Sequence, residues 1–222
     1  MPRVLVTGFG PYANTPVNPA QAVAESLDGV RIGDAEVVGR IVPCIYFEAI
    51  RAAVKAIIEV EPEFVVMLGE FGGRAMLTVE RIAQNLDDAS RYGLADNAGR
   101  SPIQEQIVAE GPAAHYATLP IRAMVKAIRE AGIPADISDA PGTLVCNHLM
   151  YGVLHHLSEH QLPIRAGWIH LPALPEVAAR ESNLGMPSMT VATSRAGVEV
   201  AIRAALEHSE DIAEPIRSTW QI

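Results

Sequence analysis

The chain has 222 residues, 49% hydrophobic and 19% charged, which supplies a substantial core and excludes a disordered or low-complexity protein. Seventeen basic against 26 acidic residues give a formal charge of −9, and no stretch gathers lysines and arginines into a phosphate-neutralising stripe, so nucleic acid is not an expected partner. No apolar run approaches the roughly 20 residues that span a bilayer, and the first apolar run is too short for a signal-peptide core, so no membrane association and a cytoplasmic location are expected.

An apolar strand is predicted over residues 3–7, followed by GFGPYA, which matches the G-x-G-x-x-G/A pattern of dinucleotide-binding loops. That pattern needs a helix opening at the glycines and an acid ending the second strand. Neither is present. Pro11 and the Thr15-Pro16 pair keep the segment a loop, and Asn18 followed by Pro19 starts the helix over 18–28 well downstream. The next strand, over 36–42, ends without an acid. The loop still leaves the carboxyl end of the first strand, the edge where open α/β sheets hold their ligands.

Farther along, apolar residues at three- and four-residue spacing (AIRAAVKAIIEV) predict a helix over 46–60, and Val-rich or Ile-rich runs predict strands over 63–68 and 76–84. Residues 86–118 lack a clear period and read as a functional or interface excursion. A helix over 119–132, a strand over 135–139, a helix over 146–160 and a strand over 164–170 follow. A second irregular segment, 171–191, precedes a last helix over 192–209. This alternation predicts an α/β fold in a single domain spanning 1–222: a three-layer sandwich with a mixed, largely parallel twisted sheet flanked by helices, phosphorylase/hydrolase-like.

Five groups of residues invite chemical readings. HLSEH, His156 to His160, matches the H-x-x-E-H arrangement of one metallopeptidase class, but it sits in the last turn of its helix, away from the ligand edge, where solvated histidines are favoured by the helix dipole. Gly72-Gly73-Arg74 is the one candidate phosphate cradle, as a nucleoside-phosphorylase-like enzyme would need. Of the two cysteines, Cys44 and Cys146, the second stands at or near the first turn of a helix, where backbone amides lower a thiol pKa and receive an oxyanion; the alternative is a small apolar residue at the top of the core. His170 ends the next strand and reaches the same edge as Cys146 if the two strands pair; its alternative is a buried structural histidine. Glu80 stands among strand residues, either as the carboxylate that orients an imidazole or as an edge-strand acid paired with Arg81.

The words VLVTGFGPY with Asn18-Pro19, GEFGGRAMLTVERIAQN, DAPGTLVCNHLMYGVLHH and WIHLP run over nearly the whole chain and resemble the pyroglutamyl peptidase I (pyrrolidone-carboxylate peptidase) family of cysteine peptidases. The resemblance implies a Cys-His-Glu triad at Cys146, His170 and Glu80, and removal of an N-terminal 5-oxoproline from peptides. It implies neither cofactor nor metal. Its substrate pocket corresponds to Phe9, Tyr12 and Leu144, with Asn18 and Glu70 beside them, and Arg91 is the counterpart of a residue that assists the oxyanion. Leu144 stands where the family usually has Phe, Tyr12 replaces a second Phe, and Glu70 stands where an uncharged residue such as glutamine is common. Such enzymes often form homotetramers, so a homo-oligomer is expected, with 171–191 as a source of interface. The rival expectation is a homologue that kept the fold as a small-molecule or peptide binding protein.

Overall fold

The computed structural model describes residues 1–12 and 15–219; Ala13, the last residue of the GFGPYA word, and the final three positions of the 1–222 domain expectation lie outside the described residues. A seven-stranded mixed sheet runs in the order β2 (Arg31–Ile32), β3 (Ala35–Val42), β1 (Arg3–Phe9), β4 (Phe64–Glu70), β9 (Arg165–Leu171), β5 (Leu77–Glu80) and β8 (Ala135–Ser138). β6 (Ile82–Gln84) and β7 (Ala114–Tyr116) pair separately as a small antiparallel ribbon. The helices are α1 (Pro19–Leu27), α2 (Glu48–Val60), α3 (Ile121–Glu130), α4 (Val145–Glu159), α5 (Pro175–Ala178) and α6 (Val191–Glu207).

The side-chain period of two sorts each strand onto two cores. Val4, Val6, Phe64, Val66, Leu77, Val79 and Ile169 face α1, α3 and α6. Leu5, Phe9, Val65, Met67, Ala166 and Trp168 face α2 and α4. Helices therefore cover both faces, which is why the central strands read as continuous apolar runs. By the same parity His170 shares the α4 side with Trp168, and Thr78 and Glu80 share it too, opposite in parity to Leu77 and Val79.

α1 begins as its sequence directs: Asn18 caps it by accepting from the Ala20 amide at 3.0 Å, and Pro19 fills the first turn. Two glycines let it lie close to the sheet. A Cβ on Gly8 would stand 2.2 Å from the Ala20 carbonyl oxygen, and one on Gly39 would stand 2.4 Å from that of Ala24. The first glycine of GFGPYA thus serves helix packing.

Three expectations need correction. The strand over 76–84 breaks at Arg81, where the chain leaves the main sheet and β6 turns to pair with β7. The condition of strand pairing set for Cys146 and His170 is not met, because β8, which precedes the Cys146 helix, does not pair with β9: β5 lies between them, antiparallel to β9 and parallel to β8. Glu80 is in register with both Trp168 and Ser138, so β8 ends level with Trp168, and the loop over 139–144 has to climb back before α4 can begin beside His170. The second helix starts at Glu48 because Phe47 adopts φ 62° and donates its N–H to His148 Nε2 at 2.8 Å. β2, β7 and α5 are too short to carry a readable period.

Gly8→Ala is expected to cost roughly 1–3 kcal/mol, the usual penalty of overpacking, read as a lower urea midpoint at unchanged slope. Gly10→Ala, whose Cβ would meet only side-chain atoms at 3.8 Å or more, is expected to leave the midpoint in place. Equal midpoints for the two variants would contradict the close approach of α1.

Candidate active site

Glu80 is the most constrained polar group of the sheet. Thr78 pairs directly with His170 across the β5 and β9 ladder, and Glu80 is its diagonal neighbour on the same face, within reach of the imidazole. Its Oε1 accepts from His170 Nδ1 at 2.8 Å, from an Arg74 guanidinium nitrogen at 3.0 Å and from the Thr78 hydroxyl at 3.2 Å. Glu80 is fully buried and lies on an interior strand, whereas Arg81 pairs with Asp139 at 3.2 Å, so the edge-acid alternative is excluded. Burial opposes the Glu80 charge, yet the hydrogen bond from His170, together with Arg74, holds the carboxyl below its ordinary range.

A Glu80 carboxylate can only accept, so His170 Nδ1 carries a hydrogen and Nε2 keeps its lone pair. Burial lowers the His170 pKa, Glu80 opposes that shift, and Arg74 adds to it. The ring is therefore a neutral base in the resting protein. Phe71 meets it edge-on at 5.3 Å and Trp168 lies at 5.4 Å, which fixes its plane.

Cys146 is the second residue of α4, behind the N-cap Leu144, whose side chain makes no capping hydrogen bond. Leu144 therefore supplies no side-chain acceptor to the first-turn amides of α4. Where the thiol and imidazole meet is defined by Gly69 on β4. A methyl group there would lie 3.1 Å from Cys146 Sγ, 3.2 Å from His170 Cδ2 and 2.5 Å from Trp168. Both candidate residues thus close over a bare stretch of backbone, and only glycine leaves them the space.

One electrostatic expectation is overturned. The helix start does not make Cys146 a resting thiolate: burial, followed by Cys44, Glu80 and Glu70, pushes the thiol well above its ordinary pKa. A thiol surrounded by acids and apolar groups stays protonated until a base takes the proton. The resting set is an ion pair, Arg74 and Glu80, beside a neutral imidazole and a neutral thiol.

The cleft over Cys146 is lined by Phe9, Tyr12, Asn18, Glu70 and Leu144, all five named from the sequence as pocket residues, and also by Cys44, Tyr46, Ala89 and the stretch Leu94 to Asp96. Asn18 acts through the backbone, capping α1 and donating Nδ2 to the Gly10 carbonyl at 3.0 Å. Burial pushes the Cys44 thiol up to about 12, which suits a packing residue. Asp96 ties the long excursion to the cleft by accepting from the amides of Tyr46, Ala98 and Arg100, while Asn97 donates to the Pro11 carbonyl.

Other sequence candidates fall elsewhere. Arg91 is exposed, its guanidinium 5.0 Å from the Tyr92 ring, and is not among the cleft residues. The His156 and His160 rings lie tilted at 4.2 Å from each other at the opposite end of α4 from Cys146. Arg74 is engaged by Glu80 and Thr78 and does not form a phosphate cradle. What sequence reasoning missed was Arg74 as the partner of Glu80, Gly69 as the meeting point, and a buried His148 whose Nδ1 lies 2.6 Å from Asp87 and whose Nε2 holds the start of α2. The six-residue offset from Arg74 to Glu80 crosses a turn, so no helix or strand period signals it.

Residues 2–208 match the family model described as pyroglutamyl peptidase. The pyrrolidone-carboxylate peptidase of Mycobacterium tuberculosis strain H37Rv is 62% identical over 222 residues, covering 100% of both chains. Two solved structures share the fold: pyroglutamyl peptidase I of Bacillus amyloliquefaciens, at 36% identity and TM-score 0.91, and the pyrrolidone carboxyl peptidase of Thermococcus litoralis, at 37% and 0.91. Each alignment covers 97% of this chain and 100% of the solved one.

Replacing Arg74 by Leu removes a cation that disfavours imidazolium at His170 and supports the carboxylate of Glu80. Loss of the cation favours imidazolium while Glu80, still hydrogen-bonded by His170 and Thr78, stays a carboxylate. The acid limb of the kcat/KM profile is therefore expected to move to higher pH in Arg74→Leu and to return toward the wild-type position in Arg74→Lys. A profile unmoved by Arg74→Leu would contradict the electrostatic role given to this residue.

Proposed function

The chain belongs to the pyroglutamyl peptidase family, and we propose that it removes an N-terminal pyroglutamyl residue from peptides through Cys146, His170 and Glu80. The observation that carries this reading is the convergence of Cys146 Sγ and His170 over Gly69, with Glu80 fixed behind the ring. The proposed unit is one peptidase domain over residues 1–222.

Because the thiol rests protonated, attack and deprotonation go together: Cys146 passes its proton to His170 Nε2 as Sγ bonds to the carbonyl carbon joining pyroglutamate to the next residue. Glu80 stabilises the imidazolium that forms and keeps its Nδ1 hydrogen in place. The first-turn amides of α4, which no N-cap side chain occupies, receive the oxyanion. His170 then protonates the leaving amine, and the same ring activates the water that hydrolyses the thioester. Arg91, exposed beside Tyr92, is not needed for this scheme.

The ring subsite is formed by Phe9, Tyr12, Glu70 and Leu144, with Asn18 shaping the loop. Pyroglutamate has no free amine, so a slot of apolar walls with a few polar groups suits it better than a carboxylate built to hold an ammonium. Leu144 in place of the phenylalanine usual in the family leaves the slot roomier, and Tyr12 in place of a second one adds a hydroxyl to its wall. Among the described residues no helix is long and apolar enough to cross a membrane. A cytoplasmic location, supported by two free thiols, and assembly into a homo-oligomer, supported by an exposed Leu184 at 73% in the segment 171–191, complete the proposal.

Release of a fluorescent amine from a pyroglutamyl conjugate under reducing conditions is the direct assay. Cys146→Ala is expected to lose at least about a thousandfold in kcat, as removal of a nucleophile does. Cys44→Ala is expected to retain turnover, and a chelator to leave it unchanged. A folded wild-type protein with no turnover would overturn the peptidase reading.

A further inference from the structure

Glu70 ends β4 inside the cleft, is buried, and has one carboxyl oxygen, Oε2, sealed from solvent with no hydrogen-bond partner. An unpartnered acid in such a place needs a reason. Tyr12 faces it from the loop after β1, Cys44 and Tyr46 from the connection before α2, Asp96 from the long excursion, and Cys146 from α4. The one nearby cation in the following turn, Arg74, is committed to Glu80 and Thr78. Asp96 is satisfied by three backbone amides. The neighbours of Glu70 are neutral or acidic, so nothing in the cleft holds it as a carboxylate.

The ring of a pyroglutamyl residue carries a cis amide, whose C=O and N–H point to the same side. A neutral carboxyl group presents the complement, an O–H donor and a C=O acceptor side by side, whereas a carboxylate offers acceptors only and repels the lactam oxygen. We propose that Glu70 binds the substrate ring as the neutral acid, pairing with its amide edge through two parallel hydrogen bonds, so that recognition is coupled to one proton on this side chain. This rests on the reading that the cleft holds the pyroglutamyl ring. Burial pushes the Glu70 pKa to about 7, so the competent fraction changes across the neutral range. Glutamine offers the same donor and acceptor without the titration.

The linkage sign follows directly. Below the Glu70 pKa nearly all molecules are competent; above it the competent fraction falls, and apparent affinity falls with it. KM of the wild type for a pyroglutamyl amide is expected to rise about tenfold from pH ~6 to pH ~8. Glu70→Gln is expected to hold KM near the wild-type low-pH value throughout. A second readout is independent of turnover: calorimetry of 2-pyrrolidone binding at pH ~8, in two buffers of different ionisation heat, is expected to show proton uptake in the wild type and none in Glu70→Gln. A wild type that turns over with flat KM, or a Glu70→Gln profile with the same alkaline rise, overturns the coupling and leaves the peptidase reading standing. Absence of turnover together with proton-linked binding of the lactam would overturn the peptidase reading while supporting ring recognition by Glu70.

Discussion

A carboxylate buried between a guanidinium and an imidazole organises this molecule. Removing a charge from water costs several kcal/mol even after relaxation, so Glu80 is tolerable only with Arg74, Thr78 and His170 closing on one of its oxygens. That requirement accounts for the strand that breaks the parallel pattern. By running antiparallel to β9, β5 sets Thr78 opposite His170 and Glu80 on the diagonal, and the turn carrying Arg74 falls back over the pair. The ion pair then keeps the ring neutral and its tautomer fixed, which is the condition for Nε2 to act as a base.

Close packing supplies the other half of the site. Gly69 leaves room where Cys146 and His170 converge, and Gly8 and Gly39 bring α1 down onto β1 and β3, which sets the origin of the loop that carries Tyr12. The excursion over 86–118 reaches the same cleft through Asp96 and Asn97, so both walls of the pocket are anchored by side chain to backbone hydrogen bonds. Chemistry is held by the sheet, which carries Glu80 and His170, and by the start of α4, which carries Cys146, while loops and Glu70 at the end of β4 shape the slot around the ring.

Much of this was legible in the sequence. The central strands were readable because burial on both faces makes them uniformly apolar, and α1 because Asn18 and Pro19 mark its start. Cys146, His170 and Glu80 stood out because each polar type sits in an otherwise apolar word. The polarity of β5 was not legible, since four residues do not record the direction of their partner, and chain order alone left open whether β8 pairs with β9, which β5 prevents by lying between them. Nor was the charge state of Cys146: a helix start suggests a thiolate, but the three-dimensional crowding of Cys44, Glu80 and Glu70, added to burial, decides otherwise. Arg74 was visible only as a possible phosphate ligand, because its true partner depends on how the turn before β5 folds.

The account centres on a covalent step at one sulfur, and trapping that intermediate tests it most directly. Wild-type protein mixed with a reactive pyroglutamyl ester, quenched in acid and digested, would be read by mass spectrometry of the cysteine-containing peptides. A pyroglutamyl group on the peptide bearing Cys146, absent from the one bearing Cys44 and lost when the quench is delayed, is the expected result. Turnover of the ester with no label on Cys146, or with the label on Cys44, would contradict it.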